Sequence, residues 1–216
     1  MIPVANLLAF GLACIPLIMI PGPSVLFTIG RSLALGRMGG FLSVIGNVSG
    51  AFVIAIAIAF GLGTLLEQSV VAFTIVKFAG AAYVIFLGIQ AIRHRRQKAD
   101  AIVAPANRRG GWRTVWEGFG VGVTNAKSIV FMAAVLPLFV DHSAGNIPLQ
   151  LFLLGMVFVV VALISDSAWA LAAGAARDWF AKNPKRIATL SATGGVLMIG
   201  VGAAVLFVGH DAPASP

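Results

Sequence analysis

The chain has 216 residues, 59% of them hydrophobic and 10% charged, with a mean hydropathy of +0.99. A soluble domain carries about 25% charged residues to coat its surface, so a cytosolic enzyme, a secreted domain and a disordered chain are excluded. An integral membrane protein is implied. The net charge of +8 and pI of 10.9 do not indicate a nucleic-acid partner, because the basic residues fall in short gaps between long apolar runs, where they orient a membrane protein.

Residues 1–30 carry no charge, and no Lys or Arg precedes Arg31. The basic flank of a signal peptide is missing, so this segment is read as a retained first helix. Cys14, the only cysteine, lies within it and has no partner for an intramolecular disulfide. Further apolar runs follow at 38–66 and at 68–92, which contains only Lys77. After a polar stretch come 118–140 with only Lys127, 142–176 with only Asp166, and 187–210 with no charge. About 20 apolar residues cross a bilayer, and backbone groups in lipid must be satisfied within their own segment. The expected fold is all-α, with six transmembrane helices.

Every Lys and Arg outside those runs falls in the first, third or fifth connection, among them Arg31, Arg37, Arg113, Lys185 and Arg186. The other connections and the C-terminal tail hold Glu67, Asp141, His142, His210 and Asp211. The positive-inside rule puts the basic side in the cytoplasm and both termini outside. The stretch 93–113, with Pro105 and Gly110-Gly111, reads as a basic cytoplasmic linker between two three-helix units, 1–92 and 114–216. Trp112, Trp116 and Trp179 are read as interfacial anchors at cytoplasmic helix ends.

The two units align. Pro21-Gly22-Pro23-Ser24-Val25-Leu26-Phe27 meets Asn125-Ala126-Lys127-Ser128-Ile129-Val130-Phe131, and Gly80 and Gly88 meet Gly194 and Gly202 at the same separation. Three spans per unit reverse the direction of the second, giving a 3+3 inverted repeat, a common plan of secondary transporters with sites on interrupted helices.

The aligned segments hold the most disruptive residues of their spans. Pro21 and Pro23 remove two backbone donors, so carbonyls near Leu17 to Met19 need other partners. A helix restarting at Pro23 points its free N–H groups at the gap. Either this is a packing kink, or the gap receives a substrate's ammonium and carboxylate. Lys127 at a helix centre costs about 2.5–3.5 kcal/mol, and Asp166 is the only in-span acid to balance it. The pair is either a fixed ion pair or part of substrate binding and proton coupling. Asn47, Asn125, Ser24 and Ser128 add polar atoms to the candidate substrate site, and Ser165 flanks Asp166. Lys77, nearer the outer end of its span, is a secondary candidate that can also snorkel outward. Gly46, Gly50, Gly61, Gly63, Gly194, Gly195, Gly200 and Gly202 are expected at close helix contacts. No metal-ligand cluster, nucleotide loop or nucleophile–base set is visible, so no enzyme, cofactor or metal site is expected.

Pro21-Gly22-Pro23, Lys77-Phe78-Ala79-Gly80-Ala81-Ala82-Tyr83 running to Leu87-Gly88, and Asn125-Ala126-Lys127 followed by Leu136-Pro137-Leu138-Phe139 resemble the lysine exporter (LysE/RhtB) family over nearly the whole chain. The resemblance implies a bacterial inner-membrane exporter of amino acids or close derivatives, driven by the proton gradient. It also implies that the two motif helices line the path. One departure is Ala126, which stands where the family shows proline. The second break is then either softer or held by Asn125 and Lys127 alone.

The function expected is export of a small zwitterionic solute by alternating access. Lys127 and helix N-termini meet the carboxylate, backbone carbonyls and Asn47 meet the ammonium, and Asp166 carries the coupling proton. The partners are an amino acid, protons and the lipid bilayer; a homo-oligomer is neither required nor excluded. Export of an inorganic cation is the alternative within transport, disfavoured by two in-span lysines and one in-span acid. A non-transporting module that binds a partner through its basic loop is the alternative outside it.

Overall fold

The computed structural model describes residues 2–68, 70–97, 111–176, 179 and 183–207. Among these the chain is helical, with no strand. Helix α1 runs Val4–Met19, α2 Pro23–Gln68, α3 Val70–Arg93, α4 Gly111–Val123, α5 Ala126–Val135, α6 Ile147–Ala175 and α7 Pro184–Phe207. Pro23–Gly61 within α2 and Ile147–Ala175 are each long and apolar enough to cross a membrane, and Gly111–Val123 with Ala126–Phe139 forms a third such unit bent by 44°. Large apolar side chains such as Leu12, Phe60, Ile75, Val160 and Ile164 face outward, as lipid contact requires.

Both disruptive segments break their helices. The first helix stops at Met19, Ile20 is extended, and the chain re-enters a helix at Pro23, whose fixed φ suits a first helical position. Asn125 is likewise extended between α4 and α5. The break thus persists with Ala126 in place of the family proline. A loop expected around Arg31 and Arg37 is instead one residue long. Gly36, at φ 79°, turns the chain between residues 23–35 and 37–68, a conformation open to a residue without Cβ. Helix α4 begins at Gly111, inside the stretch expected to be linker, because Arg113 pairs with Glu117 one turn on and Glu117 also meets Arg31 at 2.6 Å. The rest of the linker, 98–110, and the tail from 208 lie outside the described residues.

Packing interleaves the two halves of the sequence. α2 packs chiefly on α6 and α4, and α3 on α7. The α2–α4 crossing is made of glycines. A Cβ at Gly46 would lie 1.9 Å from the Val115 carbonyl oxygen, and one at Gly50 2.6 Å from that of Phe119. From the other side, a Cβ at Gly118 would lie 2.4 Å from the Ser43 oxygen and one at Gly122 2.1 Å from the Asn47 oxygen. Backbones meet here without side chains between them. Gly88 on α3 and Gly195 on α7 make a second, reciprocal crossing, and Gly194 lies against Pro21. Gly61 and Gly200, expected at such contacts, have nothing within 4 Å of a Cβ among the described residues. The surroundings of Gly63 and Gly202 lie outside the described set.

One apolar cluster joins Phe10, Leu17, Phe131, Leu154 and Phe158, with Phe10 stacked on Phe131 at 6.2 Å and edge-on to Phe139 at 5.4 Å. A second joins Val25, Leu26, Ile29 and Leu33 to Ala173, Ile187 and Ala188. Gln150, buried on α6, ties the preceding turn down by accepting from the Asp141 N–H and donating to the carbonyls of Asp141 and Gly145.

Overpacking a backbone crossing costs about 1–3 kcal/mol. Gly122→Ala is therefore expected to lower the thermal unfolding temperature in detergent clearly. Gly120→Ala, on the same helix with nothing within 4 Å, should leave it unchanged or raise it, by up to about 1 kcal/mol of helix propensity.

Candidate functional site

Ser24, Asn47, Asn125, Lys127, Ser128 and Asp166 are all buried. Lys127 is 3% exposed and Asp166 2%. Neither side chain reaches water by extension, so the site must satisfy both internally.

The Lys127 ammonium donates to the Leu17 carbonyl at 3.2 Å and to the Ile20 carbonyl at 3.0 Å. These are carbonyls of the helix end released by the break, with Ile20 one residue beyond the stretch expected from sequence. Gly22 eases the approach: a Cβ there would lie 3.2 Å from Lys127 Nζ and 3.3 Å from its Cε, tighter than ordinary contact. Lys127 belongs to the second break and its partners to the first, so the two interruptions interlock.

Asn125 makes the second link. Its amide nitrogen donates to Ser24 Oγ at 3.0 Å and to Ser128 Oγ at 2.9 Å, one hydroxyl from each restarting helix. Gly22 and Asn125 each precede a restarting helix, since the Leu26 N–H bonds to the Gly22 carbonyl and the Ile129 N–H to that of Asn125, one residue out of step with the sequence alignment that sets Pro21 against Asn125. Pro21 is buried at the break, whereas Pro23 is exposed and acts through its backbone.

Asp166 sits on α6 and accepts a hydrogen bond from the Asn47 amide nitrogen at 2.8 Å. Only the nitrogen end of an amide can face a carboxylate, so the Asn47 oxygen points away, and it has no partner among the described residues. Asp166 and Lys127 act on each other electrostatically. They are not in direct contact, since the ion pairs within 4 Å among the described residues are Arg31–Glu117 and Arg113–Glu117. A fixed Lys127–Asp166 contact pair is therefore not the arrangement adopted. Ser165 does not bond to the carboxylate either. Adjacent residues on a helix point to different faces, and Asn47 takes the place that sequence adjacency suggested for a hydroxyl. Lys77 lies on α3, but its side chain falls outside the described set. No group of three His, Cys, Asp or Glu suited to a metal occurs among the described residues.

The site thus combines a primary ammonium on backbone carbonyls, a carboxylate held by one amide, and two amide oxygens, of Asn47 and Asn125, without partners among the described residues. Such a centre offers hydrogen-bond acceptors to a donor group and an ammonium to an anionic one. The close fit of Asn47 depends on Gly118 and Gly122, which sequence reasoning passed over. Their spacing, the same as that of Gly46 and Gly50, was the available signal.

The family model of LysE type translocators matches residues 15–209, and the chain belongs to this family. It is a multi-pass inner-membrane transporter and not an enzyme. The homoserine/homoserine lactone efflux protein of Salmonella typhi is 34% identical over 190 residues, which cover 88% of this chain and 90% of the relative. The leucine efflux protein of Klebsiella pneumoniae is 25% identical over 191 residues, 87% of each chain. An uncharacterized membrane protein of Vibrio cholerae is 29% identical over 196 residues, 90% of this chain and 93% of the relative. No solved structure matches the chain.

Removing the Asn47 amide strips Asp166 of its side-chain donor. Asn47→Leu is expected to destabilise the protein by about 1.5–3 kcal/mol, the worth of a hydrogen bond to a charged group. Adding Asp166→Leu should recover the part of that loss that comes from the carboxylate left without a donor, but not all of it, because buried Lys127 then loses the charge that acts on it. Thermal unfolding of the two single variants and the double variant in detergent measures the coupling, and additive effects would show that the pair is not coupled.

Proposed function

We propose that this translocator exports amino acids or close derivatives across the bacterial inner membrane by proton-coupled alternating access. In this reading six spans form a 3+3 inverted repeat with both termini outside, units 1–92 and 114–216, and a basic cytoplasmic linker at 93–113. Spans one and four are the broken ones: α1 with residues 23–35 of α2, and α4 with α5. The observation that carries the reading is the Lys127 ammonium on the Leu17 and Ile20 carbonyls, beside the Asn47–Asp166 pair, where two helix breaks meet. Paired interruptions of this kind are how secondary transporters place substrate and coupling ion in the membrane.

The roles follow from the chemistry of each group. Lys127, with the restarting helix ends at Pro23–Ser24 and Asn125–Ser128, meets a carboxylate. Backbone carbonyls freed by the break at Pro21-Gly22-Pro23, with Asn47, meet an ammonium group. Asp166 carries the proton, and Lys77 and Ser165 are subsidiary. Homoserine, homoserine lactone and leucine, named for the relatives, share an α-amino group, whereas the lactone has no free carboxylate. The ammonium is therefore the element every substrate presents, and the Lys127–carboxylate contact sorts among them. Two in-span lysines oppose export of a bare metal cation.

The test is uptake of labelled amino acids, homoserine and homoserine lactone into inside-out vesicles with and without an imposed pH gradient. Gradient-dependent accumulation of one class is expected. Absence of accumulation of every compound by folded protein would overturn the reading. Asp166→Asn is expected to abolish gradient-driven accumulation while the protein stays folded in the membrane, and unchanged flux in that variant would remove Asp166 from coupling.

A further inference from the structure

Ser24, Thr28 and Ser32 recur at one-turn intervals along the first part of α2 and share one face, which spans about 12 Å at 1.5 Å per residue. All three are buried: Ser24 is 4% exposed, Thr28 and Ser32 0%. Ser24 is bonded to Asn125, but Thr28 Oγ1 and Ser32 Oγ have no partner among the described residues. Several exposed hydroxyls behave differently. Thr124, Thr189 and Thr193 each bond to the carbonyl one turn earlier, as Ser49 does further along α2. A hydroxyl buried without a partner is destabilising, so a pure packing role would favour Val and Ala at these two positions.

The location gives the hydroxyls a use. A Cβ at Gly40 would overlap Ser32 Oγ and touch Ala170 Cβ at 3.2 Å, so Ser32 and α6 both pack against the second part of α2 at Gly40. A Cβ at Gly174 would likewise meet Arg37. Asn47–Asp166, Gly40–Ala170 and Arg37–Gly174 meet in opposite order along the two helices, so the second part of α2 runs antiparallel to α6, and the first part, folded back at Gly36 with Ser32 against Gly40, runs in the same direction as α6. One turn back along each, Thr28 comes level with Asp166. The neighbouring Val25, Leu26, Ile29 and Leu33 are sealed in the apolar cluster with Ala173, Ile187 and Ala188. The polar face therefore leads from the Asn125–Ser24 link, past the level of Asp166, toward the helix end where Arg31 meets Glu117.

We propose that the Ser24–Thr28–Ser32 face lines the cytoplasmic access path to Asp166, and that the Thr28 and Ser32 hydroxyls are contact points for the passing polar solute. This rests on the transport reading and its orientation. A hydroxyl both donates and accepts, so one file serves the ammonium and the carboxylate of a zwitterion in turn. A passing solute supplies the partner that the two hydroxyls lack among the described residues.

Two measurements on the full-length protein test this. In proteoliposomes, Thr28→Val and Ser32→Ala are expected to leave the unfolding temperature unchanged or raised while slowing export about tenfold, the worth of one hydrogen bond in the rate-limiting barrier. Thr28→Ser should retain the rate. Unchanged export in both variants would overturn the proposal. In a Cys14→Ser background, Thr28→Cys and Ser32→Cys are expected to react with a membrane-impermeant methanethiosulfonate added to inside-out vesicles and not to right-side-out ones. Ile29→Cys, on the sealed face, is the unreactive control. Reaction no faster than at Ile29→Cys, or reaction from the other side, would overturn the path. The thiol readout requires no transported compound, so it stands or falls apart from the substrate assignment.

Discussion

The Lys127 ammonium is fully inside the protein and makes its hydrogen bonds to backbone carbonyls of another helix. An in-span lysine costs about 2.5–3.5 kcal/mol on insertion, and ordinary helix carbonyls cannot offset that because they are already bonded one turn on. Carbonyls become available where a helix ends, and Pro21-Gly22-Pro23 ends one in the interior. Gly22 then supplies the space through which the lysine reaches them. Each feature is unfavourable alone. A broken helix leaves acceptors unpaired, and a buried lysine leaves a charge unpaired; together they satisfy each other. The Asn125 amide repeats the logic in neutral form, joining hydroxyls from both restarting helices.

Such a polar centre needs rigid walls, and the packing provides them with very small side chains. Gly46, Gly50, Gly118 and Gly122 bring α2 and α4 into backbone contact at the level of Asn47, so the amide that holds Asp166 projects from a fixed strut. Aromatic packing of Phe10, Phe131, Phe139 and Phe158 and aliphatic packing around Ile29 and Ile187 form two apolar clusters in the described helices. The Arg31–Glu117–Arg113 cluster ties the end of the first broken helix to α4 beyond the apolar seal. Partly exposed ion pairs of this sort contribute little stability.

Much of this was legible in the sequence, for reasons specific to particular residues. Proline, glycine and an in-span lysine have few tolerable settings in a membrane helix, so Pro21, Gly22 and Lys127 announce a break and a polar interior. Freed carbonyls near Leu17 follow from the missing proline donors. The geometry that closes the site was not legible, because it depends on which helices cross. Scarcity of acids suggested a direct Lys127–Asp166 contact. In the fold the α2–α4 glycine crossing sets Asn47 against the carboxylate, and Lys127 turns to the first break instead. Ser165 looked like a partner only because it is adjacent in the chain. Gly36 carried no warning that one positive-φ residue would replace a whole connecting loop.

The centre holds a surplus of acceptors. Its one cationic donor is committed to Leu17 and Ile20, while the amide oxygens of Asn47 and Asn125 have no partner among the described residues. In the proposed cycle this imbalance separates two events. An ammonium group finds acceptors without disturbing any bond that holds the helices together. A carboxylate gains a charged donor only by drawing Lys127 from the carbonyls of the first break, which loosens the link between the two interruptions. Binding of the anionic group thus acts on the contact that fixes the relative position of the broken helices. A ligand shifts a conformational equilibrium only through differential interaction with its states, and Lys127 is where the site can exert it. A substrate without a free carboxylate then needs another acceptor for the lysine, and a lactone carbonyl oxygen has the chemistry to be one.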